Sequence, residues 1–259
     1  SALIFPPGEE YRYSNSAYML LAQVVARASG KSFGEFTADR IFEPLGMKGS
    51  FMYDDFEKVV PRRATGYVLD DDETSRIVHN YNFDVAGDGQ MYTTMEDLLL
   101  WDHYLHGSTR PPIHDEMLRE GKLNDGEATG YALGLRLRKH RGLSTVGHSG
   151  SSWGFRTELV RYIEPELTIA ISCNLDNINP QELAQQVAEH YLGDRLEPEE
   201  TEETPDADEP GDESNKEPIS LTADALTGVA GAYFSYELDA FYRLTADEKL
   251  LSLRIEQDQ

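Results

Sequence analysis

Apolar and polar positions change period several times along the chain. Tyr18, Leu21, Ala22 and Val25 recur at i, i+3, i+4 and i+7, which predicts a helix over about 16–29, with Gly30 just past its end. Ser32-x-x-Glu35 reads as a capping box opening a second helix, with Phe33, Phe36 and Ile41 as its apolar residues and Pro44 as its stop. Residues 54–90 are less regular, and Asp70-Asp71-Asp72-Glu73 reads as a solvated loop. Ala86-Gly87-Asp88-Gly89 marks a tight turn. Thr94, with Asp97 three residues on, caps a helix through Leu98, Leu99, Trp101, Tyr104 and Leu105, which Gly107 closes.

From Tyr131 the period falls to two. Leu133, Leu135 and Leu137 alternate with Gly134, Arg136 and Arg138, which predicts a half-exposed strand turning at Arg141-Gly142 and returning through Ser144–His148. Phe155–Tyr162 and Leu167–Cys173 read as two further strands joined at Glu164-Pro165-Glu166. Asn179 caps and Pro180 opens a last helix to Leu192, with Gly193 after it. Helices followed by antiparallel strands and a packing helix imply an α+β layered domain over 1–193. Residues 194–218 hold twelve acidic and two basic side chains and too little apolar surface to order themselves, so they read as an acidic disordered linker. Over 219–259, Tyr242-x-Leu244 and Leu251-x-Leu253-x-Ile255 alternate around Asp247-Glu248. That predicts a β-hairpin in a stretch too short to be stable alone.

Charge and composition narrow the function. The 259 residues carry a formal net charge of -24, which argues against nucleic acid and anionic membrane surfaces as partners. Acid density of this kind also suits a salt-adapted, halophilic source. No run of about 18 apolar residues exists to span a membrane. Ser1-Ala2-Leu3-Ile4-Phe5 carries no basic region of a signal peptide. The single cysteine, Cys173, lies in an apolar run and reads as a packed thiol. His103 and His106 lie three apart on one helix but lack a third ligand nearby, so no metal and no cofactor is expected.

Candidate chemistry starts at Pro7-Gly8-Glu9-Glu10-Tyr11-Arg12-Tyr13-Ser14-Asn15. A phenol at Tyr13 can shuttle a proton, and an amide at Asn15 can hold a second base or a substrate carbonyl. The plainer alternative is a turn tyrosine packed on a helix that the asparagine caps. Far along the chain, His148 stands between a strand and Gly150, flanked by small Ser149 and Ser151. Trp153 either walls a pocket or packs, and Arg156 either meets a substrate carboxylate or lies on a solvated face.

Four motifs, in order, carry a resemblance: Pro7-Gly8-Glu9 leading to Tyr13-Ser14-Asn15; Ile41-Phe42-Glu43-Pro44-Leu45-Gly46-Met47; Ala86-Gly87-Asp88-Gly89 with the helix from Thr94 to Leu105; and His148-Ser149-Gly150 with Gly154-Phe155. Together they resemble the serine β-lactamase-like family of class C β-lactamases, low-molecular-weight penicillin-binding proteins (D-alanyl-D-alanine carboxypeptidases), D-aminopeptidases and related esterases. The resemblance runs from about Phe5 to Asn174. It implies a β-lactamase/transpeptidase-like fold, incomplete at its N-terminal side, and Gly231-Ala232-Tyr233-Phe234-Ser235 resembles the start of an appended lipocalin-like β domain.

By the same resemblance, Tyr13 is the proton shuttle of the second motif and Asn15 its hydrogen-bonding partner. His148-Ser149-Gly150 is the third motif, Lys-Thr-Gly in many members. The Ser151 N–H is one of two oxyanion donors, and Ser149, Gly150 and Trp153 line the substrate.

Two departures matter. A histidine in place of the third-motif lysine is no permanent cation, since free imidazole titrates near 6.5, which shifts the expectation toward peptidase or esterase work. Gln90 stands where many members carry a second glycine. The family's nucleophile sits in Ser-x-x-Lys, and no Ser is followed three residues later by Lys anywhere in the sequence. The expectation is therefore an acyl-enzyme serine hydrolase acting on D-amino-acid peptides, esters or amides, its nucleophile supplied by an upstream segment or a second chain. The alternative is a non-catalytic D-peptide-binding homologue or an inactive fragment. The cell envelope or the exterior is the favoured location.

Overall fold

The computed structural model describes residues 4–55, 57–70, 74–78, 86–107, 110–198, 231–235, 240–246 and 251–256. It divides into two units, Ser1–Glu202 and Glu203–Gln259.

In the first unit, helix α1 (Asn15–Ser29) starts at Ser14, whose hydroxyl accepts from the Ala17 N–H, so the cap is the serine and not Asn15. Left-handed Gly30 ends it. Its apolar residues do not all face inward as the spacing predicts. Ala22 is buried, but Leu21 is 53% exposed, with Leu20 and Val24 beside it at 67% and 61%. The capping box at Ser32 and Glu35 forms as expected and opens α2 (Phe33–Thr37). Pro44 does not end this helical run. A π turn at Ala38–Phe42 leads directly into one more turn, α3 (Glu43–Leu45), with the proline as its second residue. Left-handed Gly46 is the true stop.

The irregular stretch holds structure the sequence pattern hid. Strand β1 (Phe51–Met52) pairs antiparallel with β4 (Met91–Tyr92), and β2 (Gly66–Leu69) with β3 (Ser75–Val78), so the acidic loop joins two strands of a hairpin. Asp71–Glu73 themselves lie outside the described residues. Phe42, Met47, Met52 and Ala86 form a small core with Phe33, Ile41, Leu45 and Trp101 against it. The last of these belongs to α4 (Met95–His106), capped by Thr94 as predicted. A short helix, α5 (His114–Met117), follows.

Strands β5 (Arg136–His140), β6 (Leu143–Ser152), β7 (Phe155–Tyr162) and β8 (Leu167–Cys173) form one antiparallel sheet in that order. The first strand begins later than the alternation of leucines predicts. Gly130 and Gly134 have φ of 68° and 74°, so residues 130–135 turn instead of extending, and Leu133 is 55% exposed. Helix α6 (Pro180–Leu192), capped by Asn179, packs on one sheet face. Tyr162, Ile169, Ala184, Ala188, Leu192 and Leu196 make the main core there, and burying a leucine in such a place contributes about 1.5–3 kcal/mol. Residues assigned to the linker by composition begin this packing: Gly193–Arg195 form a 3₁₀ turn, and Leu196 reaches the core. Residues 199–218 of the linker lie outside the described residues.

In the second unit, β9 (Gly231–Ser235), β10 (Ala240–Ala246) and β11 (Leu251–Glu256) form an antiparallel meander, so the predicted hairpin is present with one strand added before it.

Candidate active site

The turn that opens the chain is held by a distant segment. Left-handed Gly8 lies so close to Asn124 that an added Cβ would fall 2.4 Å from the Asn124 side-chain oxygen. The Asn124 N–H donates to the Gly8 carbonyl at 2.8 Å, and its side-chain amide donates to the Pro7 carbonyl at 3.0 Å. Two residues before α1, that fixes Tyr13.

His148 arrives from the other side, on β6. It lies on the sheet face opposite α6, in register with Leu159 of β7, while Ser149 and Ser151 pair with Glu158 and Arg156. On its other edge β6 pairs with β5 only as far as Gly147, opposite Arg136. Among the described residues no strand covers 148–152 on that edge. Gly150 has no room for a side chain unless Thr157 moves, because a Cβ would lie 2.4 Å from its hydroxyl oxygen.

The fold brings Tyr13 and His148 into contact, their ring centroids 5.8 Å apart. Tyr131 stands beside both and completes a triangle of rings. Its hydroxyl lies 3.0 Å from His148 Nε2, and its ring meets Tyr13 edge-on at 6.2 Å and Tyr11 at 5.4 Å. Burial, then the neighbouring hydroxyl of Tyr18, to which it is hydrogen-bonded, push the Tyr131 phenol far above its ordinary value. The other imidazole nitrogen, Nδ1, lies 2.6 Å from the Ser149 carbonyl oxygen. Arg136 donates from Nη1 to Ser149 Oγ at 3.2 Å and places its guanidinium carbon 5.9 Å from the centre of the Tyr13 ring.

The remaining candidates take different places. Asn15 is exposed at the start of α1, and Ser151 is exposed on β6. Trp153 sits in the β6–β7 turn at φ 49°, 40% exposed. Its backbone is held by β2: a Cβ on Gly66 would fall 2.1 Å from the Trp153 carbonyl oxygen, and one on Gly154 2.6 Å from the Tyr67 nitrogen. Arg156 bonds the Phe155 carbonyl. Gly87 lets its turn approach α1 closely, and burial raises the neighbouring Asp88 carboxyl. Gln90 adopts φ 62°, a left-handed geometry that favours glycine, so a side chain there costs about 1 kcal/mol.

Tyr131 and Arg136 escaped sequence reasoning because both lie in the stretch taken for a strand. The signal available was the pair of glycines at 130 and 134, which brackets Tyr131 and marks a held turn. Elsewhere, a polar cavity of about 570 Å³ lies between α4 and β7, lined by Asp102, His103, His106, Arg110, Arg161 and Glu166. No group of three metal-ligating side chains occurs among the described residues.

The beta-lactamase family model matches residues 1–192, and the chain belongs to that family. Penicillin-binding protein 4* of Bacillus subtilis (strain 168) is 31% identical over 208 residues, covering 73% of this chain and 45% of that protein. A D-aminopeptidase of Gluconobacter oxydans (strain 621H) is 24% identical over 208 residues, covering 79% of this chain and 39% of the other. Among solved structures, the octameric penicillin-binding protein homologue from Pyrococcus abyssi superposes with a TM-score of 0.65 at 23% identity, over 97% of this chain and 54% of that one. The fold is thus the α+β arrangement of β-lactamases and transpeptidases, and the chain spans less than half the length of the curated relatives it matches.

Proposed function

We propose that this chain is part of a serine hydrolase acting through an acyl-enzyme on D-amino-acid peptides, esters or amides, with the Ser-x-x-Lys pair lying outside these 259 residues. The observation that carries this reading is the convergence of Tyr13 on His148, 135 positions apart in sequence and 5.8 Å apart between rings, beside the edge of β6 that no strand covers among the described residues. The D-aminopeptidase relative supports the substrate class. In this reading the nucleophilic serine attacks the carbonyl while the lysine and Tyr13 carry its proton toward the leaving group. Asn15 steadies that lysine or the substrate amide. The N–H of Ser151 helps hold the oxyanion as charge develops. Ser149, Gly150 and Trp153 line the substrate, and water then releases the acyl group.

The natural protein, isolated with whatever segment or second chain supplies the nucleophile, tests this. It should label with a fluorophosphonate or a fluorescent penicillin. Tyr13→Phe should slow labelling at least about 100-fold, as expected for loss of a general acid–base. An unchanged rate removes Tyr13 from the mechanism. Saturable binding of D-phenylalanine amide with no labelling replaces the hydrolase with a D-peptide-binding homologue.

A further inference from the structure

Tyr131 makes a contact that ordinary packing does not require. A carbonyl oxygen only accepts, so His148 Nδ1, 2.6 Å from the Ser149 carbonyl, carries a proton. In the neutral ring Nε2 is then an acceptor, and the hydroxyl 3.0 Å away belongs to Tyr131. That phenol is well placed to stay protonated, being buried among aromatic neighbours and hydrogen-bonded to Tyr18. Its main chain is fixed as well: its carbonyl accepts from the N–H of Gly121 at 2.8 Å and the hydroxyl of Thr129 at 3.1 Å.

We infer that Tyr131 is a positioning residue for His148: by donating to Nε2 it holds the neutral imidazole as the Nδ1–H tautomer and leaves both ring nitrogens engaged by protein. Tyr18 is hydrogen-bonded to Tyr131 in turn, so Tyr18, Tyr131 and His148 form one connected group. The consequence concerns selectivity. A ligand lying along β6 meets an imidazole with no N–H turned toward it and no charge in this tautomer. Its polar recognition there falls to the backbone of Gly150 and Ser151, which suits a neutral ester or amide group beside His148 better than a free carboxylate. This rests on the reading of the Tyr13–His148 pair as the substrate site.

The test is a long-range ¹H–¹⁵N spectrum of the His148 ring in the ¹⁵N-labelled chain at neutral pH, which needs no turnover. The wild type should show Nδ1 protonated and Nε2 bare. Tyr131→Phe, which keeps the ring and removes the donor, should shift the Nε2 resonance and raise the population of the Nε2–H tautomer. Tyr18→Phe should do the same to a smaller extent. A protonated Nε2 in the wild type overturns the inference without any variant. So does a His148 spectrum unchanged in a Tyr131→Phe protein whose circular dichroism is native. The outcome is separate from that of fluorophosphonate labelling: a confirmed tautomer in a protein that never labels leaves Tyr131 in place and removes the hydrolase.

Discussion

Two helices flanking the same unit make a useful contrast. On α6 one apolar stripe is buried, Ala184, Ala188 and Leu192 being 1%, 0% and 7% exposed against the sheet, while Leu183 and Tyr191 lie outside it at 38% and 72%. On α1 they occupy two sides. Ala22 meets the Gly87 turn, while Leu20, Leu21 and Val24 face outward, more than half exposed. Both helices are well capped, by Asn179 and Ser14, so the local signals are equally good. Periodicity therefore sets where a helix forms, and the number of neighbours available sets how much of its apolar surface is used.

The sharpest test of the contrast is truncation. Leu192→Ala should cost about 2–5 kcal/mol in urea unfolding, through lost burial and a residual cavity, whereas Leu20→Ala should stay within about 0.5 kcal/mol. Similar costs at the two sites would break the comparison.

The α4 side offers a second test. Burial, then the Arg161 charge, lower His106 to about 4. The unfolded chain, titrating near 6.5, binds the proton first as pH falls. Stability contributed by neutral His106 is thus present above about pH 6.5, is lost between 6.5 and 4, and changes no further below that window. Discounted for partial exposure, the effect is about 1–2 kcal/mol. His106→Gln should flatten that part of the stability–pH curve, and an unchanged slope would show the α4 side to be as wet as the outer face of α1.

Caps come next. Asn179→Ala should cost about 1 kcal/mol and raise hydrogen exchange across the whole sheet layer. Ser14→Ala should instead speed exchange only in the first turns of α1. Smallest in stability is Leu20→Glu, nearly neutral in unfolding, which should reduce binding of a hydrophobic dye; undiminished binding would place the exposed apolar surface elsewhere.

The last helix was legible to the residue because Asn179, Pro180 and Gly193 each carry a local preference that nothing else opposes. The β2–β3 hairpin was not, because the acid-rich loop between its strands dominates the composition of a short stretch. Leu133, Leu135 and Leu137 misled for a related reason: an alternating pattern says nothing of φ, and two left-handed glycines decided it. At the site, Tyr13, His148 and Gly150 were readable as motifs. Their closeness goes with Asn124 pinning the Pro7-Gly8 turn and with Tyr131 packing against both rings, products of tertiary packing with no spacing rule to announce them.

The edge of β6 beyond Gly147 has one more implication. A strand edge left unpaired by its own sheet is able to receive a strand from another molecule, and its row of peptide groups does not discriminate. Gly150 and the tight turn at Trp153 offer little steric guard. Colloidal repulsion is the remaining safeguard: at a net charge of -24, two copies approaching edge to edge meet a long-range barrier. Salt thins that barrier, because the screening length falls from about 10 Å at 0.1 M to about 3 Å at 1 M. The acidity that argues against nucleic acid as a partner thus also guards this strand edge.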